Sequence, residues 1–454
     1  MRRLLLLGML ALVACNPVDP QAPVPVAARP GMNVLVVSFD ALRADSLGVH
    51  GAPREASPRI DEFAGRAVVF DAARASSPVT PTSFAAMFTG RTPLETFRDW
   101  RLEPGDTLPG LLAGAGYATA AFVHNAQLVA ERGFDRGFDL YSVEGSEHGQ
   151  LDAAVAAAAL RWMSEVDEPF LAWLHLLDPH SPWERRQVSS GFYDPAYRGR
   201  FGETGPGPIL AMHEPAELER LRTLYAGEVH AADLLFGQLL DSLEKHGLLA
   251  RTILVLTSDH GEGLMDHGML QHGQLFDEDL RIPLIVRHPD LEAGSRVALP
   301  VGQEDLLPTL ASMVGVALPP GSAGRDLRKR TAPRDQVAVA YTGTSFRQAS
   351  LMTPAGHKLI VECGERIQRG FPRVQLFDLV ADPGEQVDLA ARRPEEVADL
   401  EARLWQRLGL GGCAELRMQR GASGRSAQGG LAPDTVRQLE ALGYGAGAEE
   451  AHAP

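Results

Sequence analysis

Continuous apolar runs, separated by segments long enough to be helices, constrain the fold of this chain most strongly. NVLVVSF (Asn33–Phe39) and TILVLTS (Thr252–Ser258) do not alternate between apolar and polar residues, so each is predicted to be a strand buried on both faces. Further predicted strands are Tyr117–Val123, Pro169–Leu176 and Ile282–Arg287, and the predicted helices are Thr107–Ala115, Asp152–Val166, Pro215–Leu249 and Glu304–Val314. This alternation predicts an α/β fold with a mostly parallel sheet sandwiched by helices.

The pattern changes after about residue 330, where short strands follow one another without helices between them. These predicted strands are Val337–Tyr341, His357–Cys363 and Val374–Leu379, and a helix is predicted over Pro394–Leu408. We therefore expect a catalytic domain over residues 32–330 and a small C-terminal antiparallel β+α subdomain over 331–410. Residues 411–454 begin with a Gly- and Ser-rich stretch and are predicted to be a partly flexible tail.

The N-terminus has the composition of an export signal. Residues 1–15, MRRLLLLGMLALVAC, combine a basic start, a short apolar run and small residues before Cys15. The last four residues resemble a bacterial lipobox, which implies that Cys15 is lipidated; an ordinary cleaved secretory signal is the alternative. Residues 16–31 are Pro-rich and predict an extended tether. The expected location is the bacterial cell envelope, anchored to a membrane by lipid.

Charge and cysteine content narrow the functional classes. With 58 acidic residues against 43 Lys and Arg, the formal net charge is −15, and no basic run predicts nucleic-acid binding. An acidic protein that binds an anionic substrate needs local positive charge, most simply a metal ion. Cys363 and Cys413 are compatible with a disulfide in an exported protein or with two buried thiols.

Acidic residues follow two of the buried strands directly. Asp40 follows NVLVVSF, and Asp259 and His260 are placed at the end of TILVLTS. Because ligands bind beyond the carboxyl ends of the strands in open α/β sheets, these side chains are expected to converge. Carboxylate oxygens and an imidazole nitrogen suit a divalent metal; calcium, magnesium, manganese and zinc all remain open.

Six segments, in their order along the chain, resemble motifs of the sulfatase family of the alkaline-phosphatase superfamily. They are DALRADSLGVHG (40–51), SPVTPTSFAAMFTGR (77–91), LHLLDPHSPW (174–183), SDHGEGLMDHGMLQHGQLFDEDLRIPLIV (258–286), LFDLVADPGEQVDLA (376–390) and LAPDTVRQLEALGYG (431–445). The resemblance implies a metal-dependent ester hydrolase acting on an anionic ester. It implies roles for six residues: metal ligands Asp40, Asp259, His260 and Thr80, with Thr80 also at the nucleophile position, and catalytic His180 and His272. His175 and His267 lie close to these motifs in the sequence and are accessory candidates.

The nucleophile segment departs from the family pattern. Sulfatases carry a Cys or Ser that is oxidised to formylglycine, followed by Pro and Arg, whereas here Thr80 occupies that position, Pro81 stands one place early and Phe84 replaces the Arg. A threonine cannot become formylglycine because its β-carbon carries a methyl group. A helix predicted to start at about Ser83 would place Thr80 near its N-terminus, which favours an anion.

Three functions are compatible with this sequence. The favoured one is cleavage or transfer of a phosphate ester or phosphodiester by a metal-activated Thr80 hydroxyl. The alternatives are a sulfuric-ester hydrolase that works without formylglycine, through a nucleophile such as Ser83, and a catalytically inactive binding lipoprotein. Lipid headgroups, glycans, phosphonates and sulfated sugars all remain open as substrates.

Overall fold

The computed structural model describes ten ranges of the chain. They are 22–53, 55–144, 151–167, 169–183, 187–194, 196–197, 215–318, 321–342, 345–419 and 431–441. The predicted signal with Cys15, the first part of the predicted tether and residues 420–430 and 442–454 of the predicted tail lie outside the described residues. In the described ranges, no helix combines the length and apolarity that a membrane span requires.

An eight-stranded sheet forms the centre of the described structure. The strands of the chain are β1 Asn33–Phe39, β2 Val68–Phe70, β3 Ala73–Arg74, β4 Phe97–Arg98, β5 Arg101–Leu102, β6 Ala118–His124, β7 Leu140–Glu144, β8 Phe170–Leu176, β9 Thr252–Ser258, β10 Leu284–Arg287, β11 Arg296–Val297, β12 Val301–Gly302, β13 Gln336–Thr342, β14 Ser345–Met352, β15 His357–Glu362 and β16 Val374–Asp378. The central order is β11-β2-β10-β9-β1-β8-β6-β7, and only β10 runs antiparallel to its neighbours. The predicted mostly parallel α/β sheet is confirmed.

Helices cover both faces of this sheet. They are α1 Pro58–Ala64, α2 Thr80–Thr89, α3 Pro93–Thr96, α4 Leu108–Gly114, α5 Leu151–Glu165, α6 Pro215–Lys245, α7 Asp277–Leu280, α8 Leu306–Met313, α9 Pro394–Leu408, α10 Cys413–Met418 and α11 Pro433–Ala441. Phe63 and Phe236 bring α1 and α6 into the core on one face, and Phe84 and Leu310 bring α2 and α8 into the core on the other. Strand β1 is fully buried between these layers, as its unbroken apolar sequence predicts.

The C-terminal strands β13 to β16 form an antiparallel sheet that α9 covers, so the predicted β+α subdomain is confirmed. Its second strand, β14, was not predicted. The subdomain shares one continuous apolar core with the main body, and Tyr341 packs edge-on against Phe97 and Trp100. The predicted boundary after residue 330 therefore marks a change of secondary structure and not a break in the core.

The predicted tether is wrong for residues 22–31, which lie on the main body. Val24 and Val26 are buried, Val24 N–H donates to the carbonyl of Leu327 at 2.9 Å, and Arg29 N–H donates to that of Met313 at 2.7 Å. Two valines in alternate positions give this Pro-rich segment an apolar face, and burial of that face stabilises the contact.

A disulfide between Cys363 and Cys413 resolves the question that the sequence left open. The bond joins the end of β15 to the start of α10, with Cα atoms 5.1 Å apart. Helix α10 lies at the start of residues 411–454, the predicted partly flexible tail. The disulfide fixes this short helix on the subdomain.

A buried lysine joins the subdomain to the main body. The Lys358 side chain on β15 is 1% exposed, and its Nζ lies 2.8 Å from Asp277 Oδ1 and 2.9 Å from Glu385 Oε1. Asp277 also pairs with Arg74 at 2.7 Å. Removing the ammonium would leave a buried carboxylate without its partner.

Lys358→Met is therefore expected to lower the free energy of unfolding by about 3 kcal/mol, because it breaks a buried ion pair while conserving volume. Urea unfolding measures this difference. Lys329→Met is the control, since Lys329 is 67% exposed and lies 3.6 Å from Asp326; its effect should stay below about 0.5 kcal/mol. Equal effects of the two substitutions would show that Lys358 does not stabilise the joint.

Candidate active site

Strands β1 and β9 bring the two predicted acidic ligands together. They are parallel neighbours in register, with Phe39 opposite Ser258, so Asp40 and Asp259 leave the sheet side by side. Both side chains are fully buried, and the Asp259 Oδ1 atom accepts a hydrogen bond from Ala41 N–H at 3.1 Å. The prediction that these residues converge at the carboxyl edge is confirmed.

The side chains of His260 and Thr80 lie beside these two carboxylates. The His260 Nε2 atom lies 3.3 Å from Asp259 Oδ2, 3.9 Å from Asp40 Oδ1 and 3.1 Å from Thr80 Oγ1. Neighbouring ligand atoms around a divalent ion are spaced by about 3 to 3.5 Å. Because His260 Nδ1 donates to the carbonyl of Gly261 at 2.8 Å, the lone pair of Nε2 faces this cluster.

His175, predicted as an accessory residue, also belongs to this cluster. It lies near the end of β8, and its Nε2 atom is 3.3 Å from Asp40 Oδ2. One ligand atom each from Asp40, His175 and Asp259 lie within 4.8 Å of one another. The cluster therefore offers two carboxylates, two imidazoles and a hydroxyl.

The polar atoms of the cluster fit a cation. Asp40 Oδ1 and Asp259 Oδ2 are buried without a hydrogen-bond partner, which is costly unless a metal ion or another ligand satisfies them. Burial and the adjacent Asp40 carboxylate raise the pKa of Asp259. Burial alone would also raise the pKa of Asp40, but His180, His175 and His260 hold it well below its usual range. A divalent ion bound between the two carboxylates would favour the charged form of both.

Thr80 is the first residue of helix α2, so the prediction that the helix starts at about Ser83 is wrong by one turn. Pro81 explains the earlier start, because proline fits the first turn of a helix, where N–H groups have no intrahelical partner. The side chain of Thr80 is fully buried beside His260. A group transferred to its hydroxyl would lie at the positive end of a ten-residue helix.

His180 and His272, predicted as catalytic, face one another at 3.2 Å through their Nε2 atoms. Each Nδ1 donates to a main-chain carbonyl, that of Ser181 for His180 and that of Pro78 for His272. Both Nε2 atoms therefore stand ready to exchange a proton. The His272 ring also lies 4.0 Å from that of His260, and burial together with these two histidines lowers the pKa of His272.

The structure places His267 away from the cluster, so no contact supports its predicted accessory role. Its Nδ1 bonds to Glu278 at 2.6 Å, its Nε2 lies 3.1 Å from the carbonyl oxygen of Glu385, and its ring stacks on Phe276. Burial would lower the pKa of His267, but the Glu278 carboxylate raises it. His267 thus connects the loop after β9 to the C-terminal subdomain.

Phe84 and Ser83, which follow Thr80 in the nucleophile segment, both have structural roles. Phe84 is fully buried, with its ring 4.7 Å from Trp173 and 4.8 Å from His175, so an apolar wall stands where the family has Arg. The Ser83 hydroxyl bonds to the carbonyl of Asp259 at 2.5 Å and to Gln303 at 2.8 Å. Ser83 thus holds the main chain behind the cluster, which does not favour it as the alternative nucleophile.

Two residues that the sequence analysis missed hold the site in place. Asn125 follows β6, and its Nδ2 donates to Asp40 Oδ2 at 2.5 Å. Asp152 accepts bonds from the N–H groups of Leu177 and Asp178 at 3.0 Å and bonds to His124 at 2.5 Å. The end-of-strand rule that found Asp40 applies equally to Asn125; Asp152 begins a helix and gave no such signal.

A family model described as Sulfatase matches residues 32–316. The chain belongs to the sulfatase family. The ulvan-active sulfatase of Formosa agariphila is 26% identical over 425 residues, which cover 83% of this chain and 81% of that enzyme. Arylsulfatase K of Xenopus laevis is 28% identical over 203 residues, which cover 41% of this chain and 37% of that enzyme.

Solved structures share the fold. BT4656 in complex with D-glucosamine-2-N,6-O-disulfate superposes with a TM-score of 0.71 at 20% identity, covering 83% of this chain and 97% of that one. Phosphonate monoester hydrolase of Agrobacterium radiobacter gives 0.69 at 20% identity, covering 83% and 95%. The resemblance predicted from the motifs is confirmed, and this chain is a sulfatase-like hydrolase with a buried Asp/His/Asp group suited to a metal ion.

Asp259→Asn is expected to weaken divalent-metal affinity by about 100-fold or more, because it removes a charged ligand atom without changing shape. Metal content after dialysis against buffers of fixed free metal measures the change. Asp241→Asn is the control, since Asp241 lies on α6 and is 60% exposed. Unchanged metal content in Asp259→Asn would contradict the assignment of this cluster.

Asp152→Asn is expected to lower turnover by about 100-fold while metal content stays unchanged, because an amide cannot accept both N–H groups of the loop that carries His180. Glu165→Gln, at the exposed end of the same helix, is the control. Thermal unfolding monitors folding of both variants. If Asp152→Asn retains full turnover, Asp152 does not position His180.

Proposed function

We propose that this protein is a metal-dependent phosphoester hydrolase or transferase whose nucleophile is Thr80. One observation carries the proposal: the Thr80 hydroxyl, at the family's nucleophile position, lies 3.1 Å from His260 Nε2 within the buried carboxylate cluster. A hydroxyl is a weak nucleophile at neutral pH unless a base or a cation activates it. In this proposal a cation activates Thr80, because His260 Nε2 is one of the atoms that would hold the ion.

The side chain of Thr80 favours phosphorus over sulfur as the reacting atom. Its β-carbon already carries a methyl group, so it cannot be oxidised to the aldehyde that sulfatases use. The remaining route is direct attack, which leaves a phosphothreonine that a second attack at phosphorus can clear. A sulfothreonine could not be cleared by the aldehyde-hydrate route that sulfatases use, so water would have to attack sulfur directly.

The described residues have three roles in the proposed reaction: metal binding, attack on phosphorus and protonation of the leaving alcohol. Asp40, Asp259, His260 and His175 would hold the metal ion, which would neutralise ester oxygens and acidify the Thr80 hydroxyl. In the proposed reaction Thr80 loses its hydroxyl proton to water, and its Oγ1 forms a bond to phosphorus as the bond from phosphorus to the alcohol oxygen breaks. The leaving alcohol takes its proton from the His180–His272 pair. Water then completes a hydrolysis, or an acceptor alcohol completes a transfer.

A sulfuric ester is the second candidate, and the similarity to the ulvan-active sulfatase supports it. It requires that a sulfothreonine be hydrolysed in this site. The third function considered from the sequence, an inactive binding protein, is disfavoured because buried carboxylates are retained at a cost in stability.

The substrate and location are also proposals. The substrate is an anionic ester, carried by a glycan or a lipid headgroup. Lipidation of Cys15 would hold the enzyme at a membrane of the bacterial envelope, where such esters occur. The sequence pattern of residues 1–15 supports this location.

Thr80→Val tests the nucleophile because it removes the hydroxyl and conserves the β-branched shape. The substrates are nitrophenyl phosphate, bis-nitrophenyl phosphate, a nitrophenyl phosphonate ester and nitrophenyl sulfate, each with magnesium, calcium, manganese or zinc. We expect metal-dependent turnover of a phosphorus ester, lowered about a thousandfold or more in Thr80→Val and retained in part by Thr80→Ser.

Full activity of Thr80→Val would refute the nucleophile assignment whatever the substrate. Preference for nitrophenyl sulfate, with loss in Thr80→Val, would keep the nucleophile and overturn the choice of phosphorus. Metal content measured on both variants separates loss of chemistry from loss of the ion.

A further inference from the structure

The loop after β9 turns sharply just before His272, and Gln271 makes the turn. The backbone of Gln271 has a φ of 65°, in the left-handed region that residues other than glycine seldom adopt. This turn closes a tight hairpin, in which Gly263 N–H donates to the carbonyl of Gln271 at 3.0 Å. A larger residue than Gly263 would not fit, because its Cβ would lie 2.3 Å from that carbonyl oxygen. The main chain of Gln271 is therefore held closely in place.

The side chain of Gln271 contacts the loop that carries the other catalytic histidine. Its Nε2 donates to the hydroxyl oxygen of Ser181 at 2.7 Å. Ser181 directly follows His180, and the carbonyl of Ser181 accepts from His180 Nδ1 at 2.6 Å. Ser181 is buried, so little water competes for this hydrogen bond. One amide thus joins the residue that follows His180 to the residue that precedes His272.

Two buried carboxylates each hold one of these loops to the body of the protein. Asp279 Oδ2 accepts from the N–H groups of the two residues that follow His272, at 2.9 and 2.8 Å. Asp152 accepts from two N–H groups of the loop that carries His180. The Gln271 amide instead links the two loops to each other, beside the 3.2 Å contact between the histidine Nε2 atoms. A shift of about 1 Å between the loops would break that contact.

We propose that Gln271 is a positioning residue that keeps His180 and His272 at the separation needed to protonate a poor leaving group. The inference rests on the proposed function, in which this pair supplies a proton to the leaving alcohol. A dinitrophenolate leaves readily without a proton, whereas the oxygen of an unsubstituted phenol or an aliphatic alcohol needs one. Gln271 therefore matters for esters of weakly acidic alcohols, and natural substrates are expected in that class.

Gln271→Asn tests the role of this amide on the full chain. Asparagine tolerates the left-handed region, but its side chain is one methylene group shorter and cannot reach Ser181. Ser181→Ala removes the same hydrogen bond from its other end. The substrates are a phenyl ester and a dinitrophenyl ester of whichever acid, phosphoric or sulfuric, the parent enzyme releases. We expect both variants to lower kcat about 100-fold for the phenyl ester and less than about threefold for the dinitrophenyl ester, with KM unchanged.

The double variant should lose no more activity than either single variant, since all three lack the same hydrogen bond. Gln386→Ala is the control, because Gln386 is exposed and its amide lies 3.5 Å from His267 on the same loop. Both rates should be unchanged in Gln386→Ala. Equal losses with the two esters, or additive losses in the double variant, would overturn the proposal, because they would show that Gln271 stabilises the loop without positioning the histidines.

A crystal structure of Gln271→Asn tests the same arrangement without reference to activity. The two Nε2 atoms are expected to move beyond hydrogen-bond distance, while Asp40 and Asp259 keep their places. Histidines that stay in contact would overturn the proposal even if no ester is turned over. Thr80→Val is assayed in parallel: full turnover by that variant would refute the proposed nucleophile, and the comparison of leaving groups would still test Gln271.

Discussion

The burial of two carboxylates side by side is the constraint on which the rest of this structure depends. Asp40 and Asp259 lie beyond the ends of adjacent parallel strands, away from water, where uncompensated like charges strongly destabilise a fold. Main-chain N–H groups, the Asn125 amide and three histidines offset part of this cost, and the remaining lone pairs fit a divalent ion. The surrounding loops thus place these carboxylates where a divalent ion would neutralise them.

The replacement of the family's arginine changes how this site is supported. Phe84 packs on Trp173 and His175, so the wall behind the cluster is apolar, and the Trp173 indole N–H bonds to Ser38, which in turn bonds to His175. Phe84 has no guanidinium group that could hold the ester oxygens. In the proposed reaction the cation and the His180–His272 pair hold them instead.

The sequence predicts most of the scaffold because buried parallel strands appear as continuous apolar runs. The residues that follow these strands lie together at the carboxyl edge of the sheet. Asp40, Asp259 and His260 were found in this way. The start of α2 at Thr80 was missed because Pro81 was not recognised as a first-turn residue, and Asp152 was missed because its partners are main-chain groups of a distant loop. Tertiary contacts of that kind leave no local pattern, and neither does the separation of His267 from the site.

The most direct test of the account is to trap the covalent intermediate. The metal-loaded enzyme is mixed with a radiolabelled phosphomonoester or phosphodiester, denatured in acid within milliseconds to seconds, digested and sequenced by mass spectrometry. The account predicts a labelled phosphoryl group on Thr80 that appears at the rate of alcohol release and is absent from Thr80→Val. Label on another residue, or alcohol release with no labelled protein at any time, would contradict it.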